Sequence, residues 1–324
     1  MASDQGPTKF GFFLVPRFAM LAFTAAIEPL RAANLLSGRK LYEWHVISRD
    51  GAPVTSSNGT ELVAEMAMAD APKVDDLVVC SGLDAHLFED RQVFAWLRRE
   101  AQKGTHIGAL SDGAFILARA GLLNGYNCTI HWTCLPGFAE SFPEIPVQPD
   151  LFQVDRNRFT CAGGTASCDM MLNMIERHHG RALAIQVAEQ FMHDRIRTDD
   201  DRQRISLRLR IGVSHPKLLK AISLMEENLE QPLTAGELAD RCNVSKRQLE
   251  RLFRGYLGRP PMQYYMELRL QQAHMLLNST SLSVLEVGVA CGFISASHFA
   301  KRYRDLFHHT PRSARQRYLE ASER

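Results

Sequence analysis

The sequence predicts two domains: an α/β domain on a doubly wound parallel sheet, then an all-α domain carrying two helix-turn-helix motifs. Three observations predict it. Short apolar runs alternate with segments of helical periodicity through the first half of the chain. One helix-turn-helix pattern occurs twice near the C-terminus, at Thr234 to Pro261 and again at Ser283 to Pro311. Positive charge is concentrated around that repeat.

Length and composition set the frame. With 324 residues, 45% of them apolar, the chain can bury the cores of two domains. The formal net charge is only +2, but residues 214–324 carry 16 basic and 11 acidic groups, leaving 22 and 25 for the remainder. The excess sits where a phosphate-binding half needs it. Seven cysteines without a CxxC pair argue for reduced thiols, not for a disulfide framework or a zinc site, and no metal is expected. No secretory leader is expected, because a basic region followed by an apolar core and cleavage site is missing. Pro16 and Arg17 interrupt the apolar stretch Phe10 to Ile27, so no membrane span is expected and the chain reads as cytoplasmic.

In order, Lys9 to Val15 is a short apolar run of a strand buried on both faces, and Met20 to Leu36 has helical spacing stopped by Ser37-Gly38. Tyr42 to Ser48 alternates as a strand, Ser56 to Gly59 is a turn, and Leu77 to Cys80 is a buried strand closed by Ser81-Gly82. Glu89 to Gln102 reads as a helix and Thr105 to Leu110 as a strand. Strand and helix in alternation predict a parallel sheet, whose ligands sit at the carboxyl ends of the strands. Ser111 lies where a strand turns directly into a helix, Ala114 to Leu123, the geometry of a nucleophile elbow. The sequence Ala109-Leu110-Ser111-Asp112-Gly113 lacks the first glycine of G-x-S-x-G.

The stretch GALSDGAFILARAGLLNGYNCTIHW, with DRNRFTCAGGTASCDMMLNMIERHHG after it, resembles the PfpI-type, class I glutamine amidotransferase-like domain of a subfamily of AraC/XylS regulators. The likeness runs over nearly the whole chain, from IEPLRAANLLSGRKLYEWHVISRDG to the tandem helix-turn-helix. It implies a flavodoxin-like first domain. Enzymes of that family place a cysteine at the elbow, a histidine nearby and an acidic residue on the first helix. Here the elbow holds Ser111, the histidine position His131, and Ala19 to Thr24 has no carboxylate. Without a base held by a third group, serine is a poor nucleophile, so no enzyme activity and no cofactor are expected. The alternative is a bifunctional serine hydrolase or amidase using Ser111 and His131.

What the elbow offers instead is a ligand site of Ser111, Asp112, Phe115, His131 and Trp132. The amides after Ser111 suit a carboxylate, Asp112 a cation, and the faces of Phe115 and Trp132 an ammonium group. Equally, the aromatics could pack in a core, Asp112 could cap the helix and His131 could be a satisfied buried imidazole. Regulators of this kind answer to glycine betaine, carnitine or arginine, so the resemblance implies a small amine or amino-acid effector. It also implies a homodimer on double-stranded DNA, and contact with RNA polymerase if the protein is an activator. A third possibility is a DNA-binding protein whose first domain only dimerises.

A helix at Cys168 to His178 and another at Ala182 to Arg195 close the first domain, expected over residues 1–195. The charged segment 196–214 reads as a linker, with Arg202, Arg204, Arg208 and Arg210 available to phosphate or simply solvated. The DNA-binding domain is expected over 215–324. His215 to Glu230 is an amphipathic helix, and Pro261 to Leu277 a connector whose Tyr265, Leu268, Met275 and Leu276 bury against both motifs. Thr234 with Glu237, Ser245 with Gln248 and Ser283 with Glu286 are capping boxes. The motifs correspond at offsets of 49 and then 50, so one residue is inserted in the second turn. Leu249, Leu252, Phe253 and Tyr256 form the apolar face of the first recognition helix, leaving Arg247, Glu250, Arg251 and Arg254 outward. Phe299, Tyr303 and Phe307 face inward in the second, leaving Ser297, Ala300, Lys301 and Arg304 outward. Arg247, Arg251, Ser297 and Lys301 are expected at bases and Arg254 and Arg304 at phosphates, with Lys246 and His298 also at the DNA. A fixed connector would hold the two helices about 34 Å apart for successive major grooves.

Overall fold

The structure, a computed structural model, describes residues 6–199, 201–280 and 282–322, with side chains to 317. The expected outer limits at Met1 and Arg324 lie outside the described residues. The chain divides into two compact units, Met1–Gln203 and Arg204–Arg324.

The first unit is built on seven strands: β1 (Thr8–Leu14), β2 (Tyr42–Ser48), β3 (Met66–Ala67), β4 (Asp76–Cys80), β5 (His106–Leu110), β6 (Phe152–Asp155) and β7 (Arg158–Cys161). Their order is β6-β7-β5-β4-β1-β2-β3, parallel except for the β6–β7 pair. From Phe10 onward β1 is apolar and buried, because both its faces are covered. Phe10, Phe12 and Leu14 enter one core with α1 (Met20–Ser37), α5 (Ala166–His179) and α6 (Arg181–Gln190). Phe13 and Val15 enter the other with α2 (Arg91–Gln102), α3 (Ala114–Arg119) and α4 (Leu135–Ser141). Gly38 ends α1 at φ 64°, returning its N–H to Leu35 O, as the Ser37-Gly38 stop predicts.

Two helices stop short of expectation. The one expected to reach Leu123 ends at Arg119, since the chain turns away at Gly121, φ 73°, while Leu122 and Leu123 still bury. The one expected to reach Arg195 ends at Gln190, and Met192 takes φ 54°. A tertiary tie redirects the chain beyond Met192. The fully buried carboxylate of Asp169 on α5 accepts from His193 Nε2 at 2.8 Å, from the Arg197 backbone N–H at 2.7 Å, and from the Arg197 guanidinium at 2.9 and 2.6 Å.

The expected linker is therefore shared between the units. Leu151 N–H donates to Asp201 O at 3.1 Å, and Gln203 Nε2 donates to Thr129 Oγ1 and to the carbonyls of Ile130 and Asp150 at 2.8 to 3.0 Å. From Arg204 on, the chain belongs to the second unit. Arg204 and Arg210, expected either at phosphate or simply solvated, both pair with Glu226, at 3.6 and 3.0 Å.

The second unit holds α7 (Leu207–Ile211), α8 (Pro216–Glu227), α9 (Ala235–Arg241), α10 (Lys246–Leu257), α11 (Pro261–Ser279), α12 (Val284–Ala290), α13 (Ala296–Phe307) and α14 (Pro311–Ser322). It has two small cores joined by α11. Tyr265 packs with Leu218, Leu249 and Phe253, while Leu270, Leu276 and Leu277 pack with Val287, Phe299 and Tyr303. Arg269 of α11 donates to Cys291 O and Gly292 O at 2.8 and 2.6 Å, holding the end of α12. Gly292, φ 73°, lies so close to the carbonyls of Leu229 and Glu230 that a Cβ would be 2.8 and 2.7 Å from them. No helix among the described residues is long and apolar enough to cross a membrane.

None of the seven cysteines is in a disulfide: Cys80, Cys128, Cys134, Cys161, Cys242 and Cys291 are buried and Cys168 half-buried.

Candidate functional sites

The carboxyl ends of β1, β4, β5 and β7 converge around the elbow. Ser111 sits at φ 56° between an extended Leu110 and a single 3-10 turn that leads into α3. Gly163, just beyond β7, lies against it; a Cβ there would be 2.8 Å from the Ser111 Cβ. Two more non-glycine residues at these strand ends take left-handed backbone: Arg17 after β1, φ 61°, and Asp84 after β4, φ 67°. They form an ion pair with each other. Backbone strain of this kind clusters at functional sites, which makes these strand ends a candidate site. Sequence reasoning passed over both residues. The available signal was a charged residue directly after an apolar strand, at Arg17.

Asp112 points into the protein. Burial pushes its carboxyl up to about 7, with Cys134 alongside opposing the shift and the Asp84 charge adding to it. Its Oδ1 and the Oγ of Ser81, at the end of β4, are both buried without a hydrogen-bond partner. Gly113, next to Asp112, packs on the end of β4: a Cβ there would lie 3.5 Å from the Ser81 Cβ. Buried polar groups are nearly always paired, so each of these two atoms, at the ends of neighbouring strands, is open to a donor from outside the chain.

His131 shares a hydrogen bond of 2.7 Å with Thr133 Oγ1, and burial lowers its pKa, favouring neutral imidazole. Trp132 is half-buried beside it, ring centroids 5.8 Å apart. No hydrogen bond joins Ser111 to His131 among the described residues, so the serine has no base on it. Phe115 corrects an expectation: it is 2% exposed, packed on Phe138 and Phe142 in the core, and offers no face to a ligand. α3 has only six residues, so its dipole is small and the amides after Ser111 act as individual donors.

In the second unit all three capping boxes are formed. Ser245 Oγ accepts from Gln248 N–H at 3.2 Å to start α10, and Ser295 Oγ from His298 N–H at 3.4 Å to start α13. Leu249 and Phe253, then Phe299 and Tyr303, bury one stripe of each recognition helix. Arg247, Arg251 and Arg254 are exposed on the other side of α10, and Ser297, Lys301 and Arg304 on that of α13. No carboxylate lies within ion-pair distance of these cations among the described residues. Lys246 leans back over Gly236, where a Cβ would be 3.2 Å from its Cε. His298 is exposed, accepts from Arg302 Nε at 3.3 Å, and lies near the Phe293 ring. Tyr256, expected on the apolar face, is 52% exposed beside His215; the buried residues of α10 are Leu249 and Phe253.

A strand-end site without an activated nucleophile, in a chain that also carries paired, capped recognition helices, defines a transcriptional regulator. The comparisons agree. The DJ-1/PfpI family profile matches residues 13–177 and a helix-turn-helix domain profile residues 238–317. The HTH-type transcriptional regulator GbdR of Pseudomonas aeruginosa is 45% identical over 313 residues, covering 97% of this chain and 85% of that one. The crystal structure of an AraC family transcriptional regulator from Pseudomonas putida is 35% identical with a TM-score of 0.53, covering 57% of this chain and all of that one. An isonitrile hydratase from Pseudomonas putida is 29% identical over 52% of this chain and 71% of its own length. The chain belongs to the AraC-type regulators that carry an N-terminal DJ-1/PfpI domain. It is a DNA-binding transcriptional regulator, like the regulators it resembles along most of its length.

Proposed function

We propose that the first unit binds a small amine or amino acid at the carboxyl end of its sheet, and that this ligand sets the activity of a cytoplasmic homodimer on double-stranded DNA. The observation that carries it is the pair of orphaned buried atoms, Asp112 Oδ1 and Ser81 Oγ, within a ring of strained strand ends. Asp112 faces the ligand's cation, the amides after Ser111 its carboxylate, and Trp132, with His131 beside it, a methylated or primary ammonium. Contact with RNA polymerase makes the regulator an activator. A thermal-shift panel of glycine betaine, carnitine, arginine and related amines tests the reading. A ligand at 100 times its dissociation constant adds about 2.7 kcal/mol. At least one member is expected to stabilise the first unit and to lose that effect in Asp112→Asn and Trp132→Ala. A panel with no stabilised member would leave a DNA-binding protein whose first unit only dimerises.

On the DNA side, Arg247 and Arg251 of α10 and Ser297 and Lys301 of α13 read bases. Arg254 and Arg304, a turn further on, together with Lys246 and His298, hold the backbone. The support is their exposure on two capped helices joined by α11. Arg247→Ala and Lys301→Ala should each weaken specific binding by about 1 to 3 kcal/mol while changing nonspecific binding little. A uniform loss across sequences in a titration would reassign the residue to phosphate.

A further inference from the structure

The two helix-turn-helix copies correspond closely through their turns. Cys242 and Cys291 close the first helices and are buried. Asn243 and Gly292 come next, both left-handed, at φ 51° and 73°. Val244 and Phe293 then turn into their respective cores, and Ser245 and Ser295 cap the recognition helices. The inserted residue of the second copy is therefore Ile294, and its side chain is fully exposed.

An isoleucine wholly in water, one residue before the cap of α13, has nothing to pack on within the second unit. The residues after it, Ser295, Ala296 and Ser297, are exposed as well, so it continues the DNA-facing edge of this helix. In helix-turn-helix proteins the start of the recognition helix meets base edges in the major groove. A β-branched aliphatic group gains nothing from a phosphate. The apolar group presented in that groove is the C5-methyl of thymine.

We infer that Ile294 is a specificity residue that contacts a thymine methyl beside the bases read by Ser297 and Lys301. The inference rests on the proposed reading of DNA by the second helix-turn-helix. The first copy has no residue at this point, so the thymine preference belongs to one end of the binding site and gives the site a direction.

The test uses the full chain and a duplex it selects from a random-sequence library. Each thymine is replaced singly by deoxyuridine, which removes only the methyl. At one or two positions the wild type should lose roughly three- to fivefold in affinity, the factor for one buried methyl-sized group. Ile294→Ala should bind the thymine and uracil duplexes alike at those positions, with Ile294→Val between. The dependence of binding on salt should not change, because no phosphate contact is lost. Ile294→Ala showing the wild-type sensitivity to deoxyuridine would overturn the assignment. So would wild-type protein indifferent to every replacement while Lys301→Ala still weakens binding. If Lys301→Ala also has no effect, the second motif does not read this DNA and the underlying proposal falls with it.

Discussion

At the residue scale, the elbow is the place where sequence and structure meet most directly. A strand running straight into Ser-Asp-Gly made the turn legible, and Ser111 takes the left-handed backbone that such a turn requires. A non-glycine residue held there costs about 1 to 3 kcal/mol. Ser111→Gly should therefore leave the melting temperature of the first unit unchanged or raised, and Ser111→Val should lower it, both read by calorimetry. Asp112 makes a second prediction. Its folded carboxyl, raised to about 7, lies above its unfolded value, so the folded state binds the extra proton between about pH 4 and 7. Stability conferred by the neutral form is then present at the acid end of that window and lost as pH rises through it. Asp112→Asn should flatten this slope in denaturant titrations across the window. Asp84 was not legible, because nothing in an isolated sequence announces a left-handed aspartate, and at Arg17 the charge after an apolar strand gave no hint of the left-handed backbone or of its distant partner. Phe115 was misplaced for a similar reason, since one aromatic on a short helix does not show which side the core lies on.

At the scale of elements, strands and helices were legible where periodicity and stop residues coincided, as at Tyr42–Ser48 and at Gly38 after α1. The segment after α6 was not. A dense run of charge from residue 196 reads as solvated linker, yet its Arg197, together with His193 just before it, is held by a fully buried acid on α5, 28 and 24 residues back in the chain. Charge composition reports how many ions a segment has and is silent about a distant partner. Removing one member of such a buried cluster strands the others. Asp169→Ala should cost about 3 to 5 kcal/mol. In a calorimetric scan the loss should fall on the transition of the first unit, with the transition of the second unmoved.

At the scale of the whole molecule, the division into an α/β half and a DNA-binding half was visible in the repeat and in the split of charge, and each half has cores of its own. The joint was harder to see, because residues 201–203 are fixed by backbone and amide hydrogen bonds that leave no composition signal. The buried thiols turn this division into something measurable. Of the buried ones, Cys80, Cys128, Cys134 and Cys161 lie in the first unit and Cys242 and Cys291 in the second. Burial pushes Cys128 and Cys161 up to about 12, which removes the reactive thiolate from the folded chain. A thiol reagent therefore reacts only as each unit opens, and the cysteines act as two separate clocks. Mass-resolved labelling of the native protein should show the two sets advancing at different rates. An effector that settles at the elbow should slow the first clock and leave the second running.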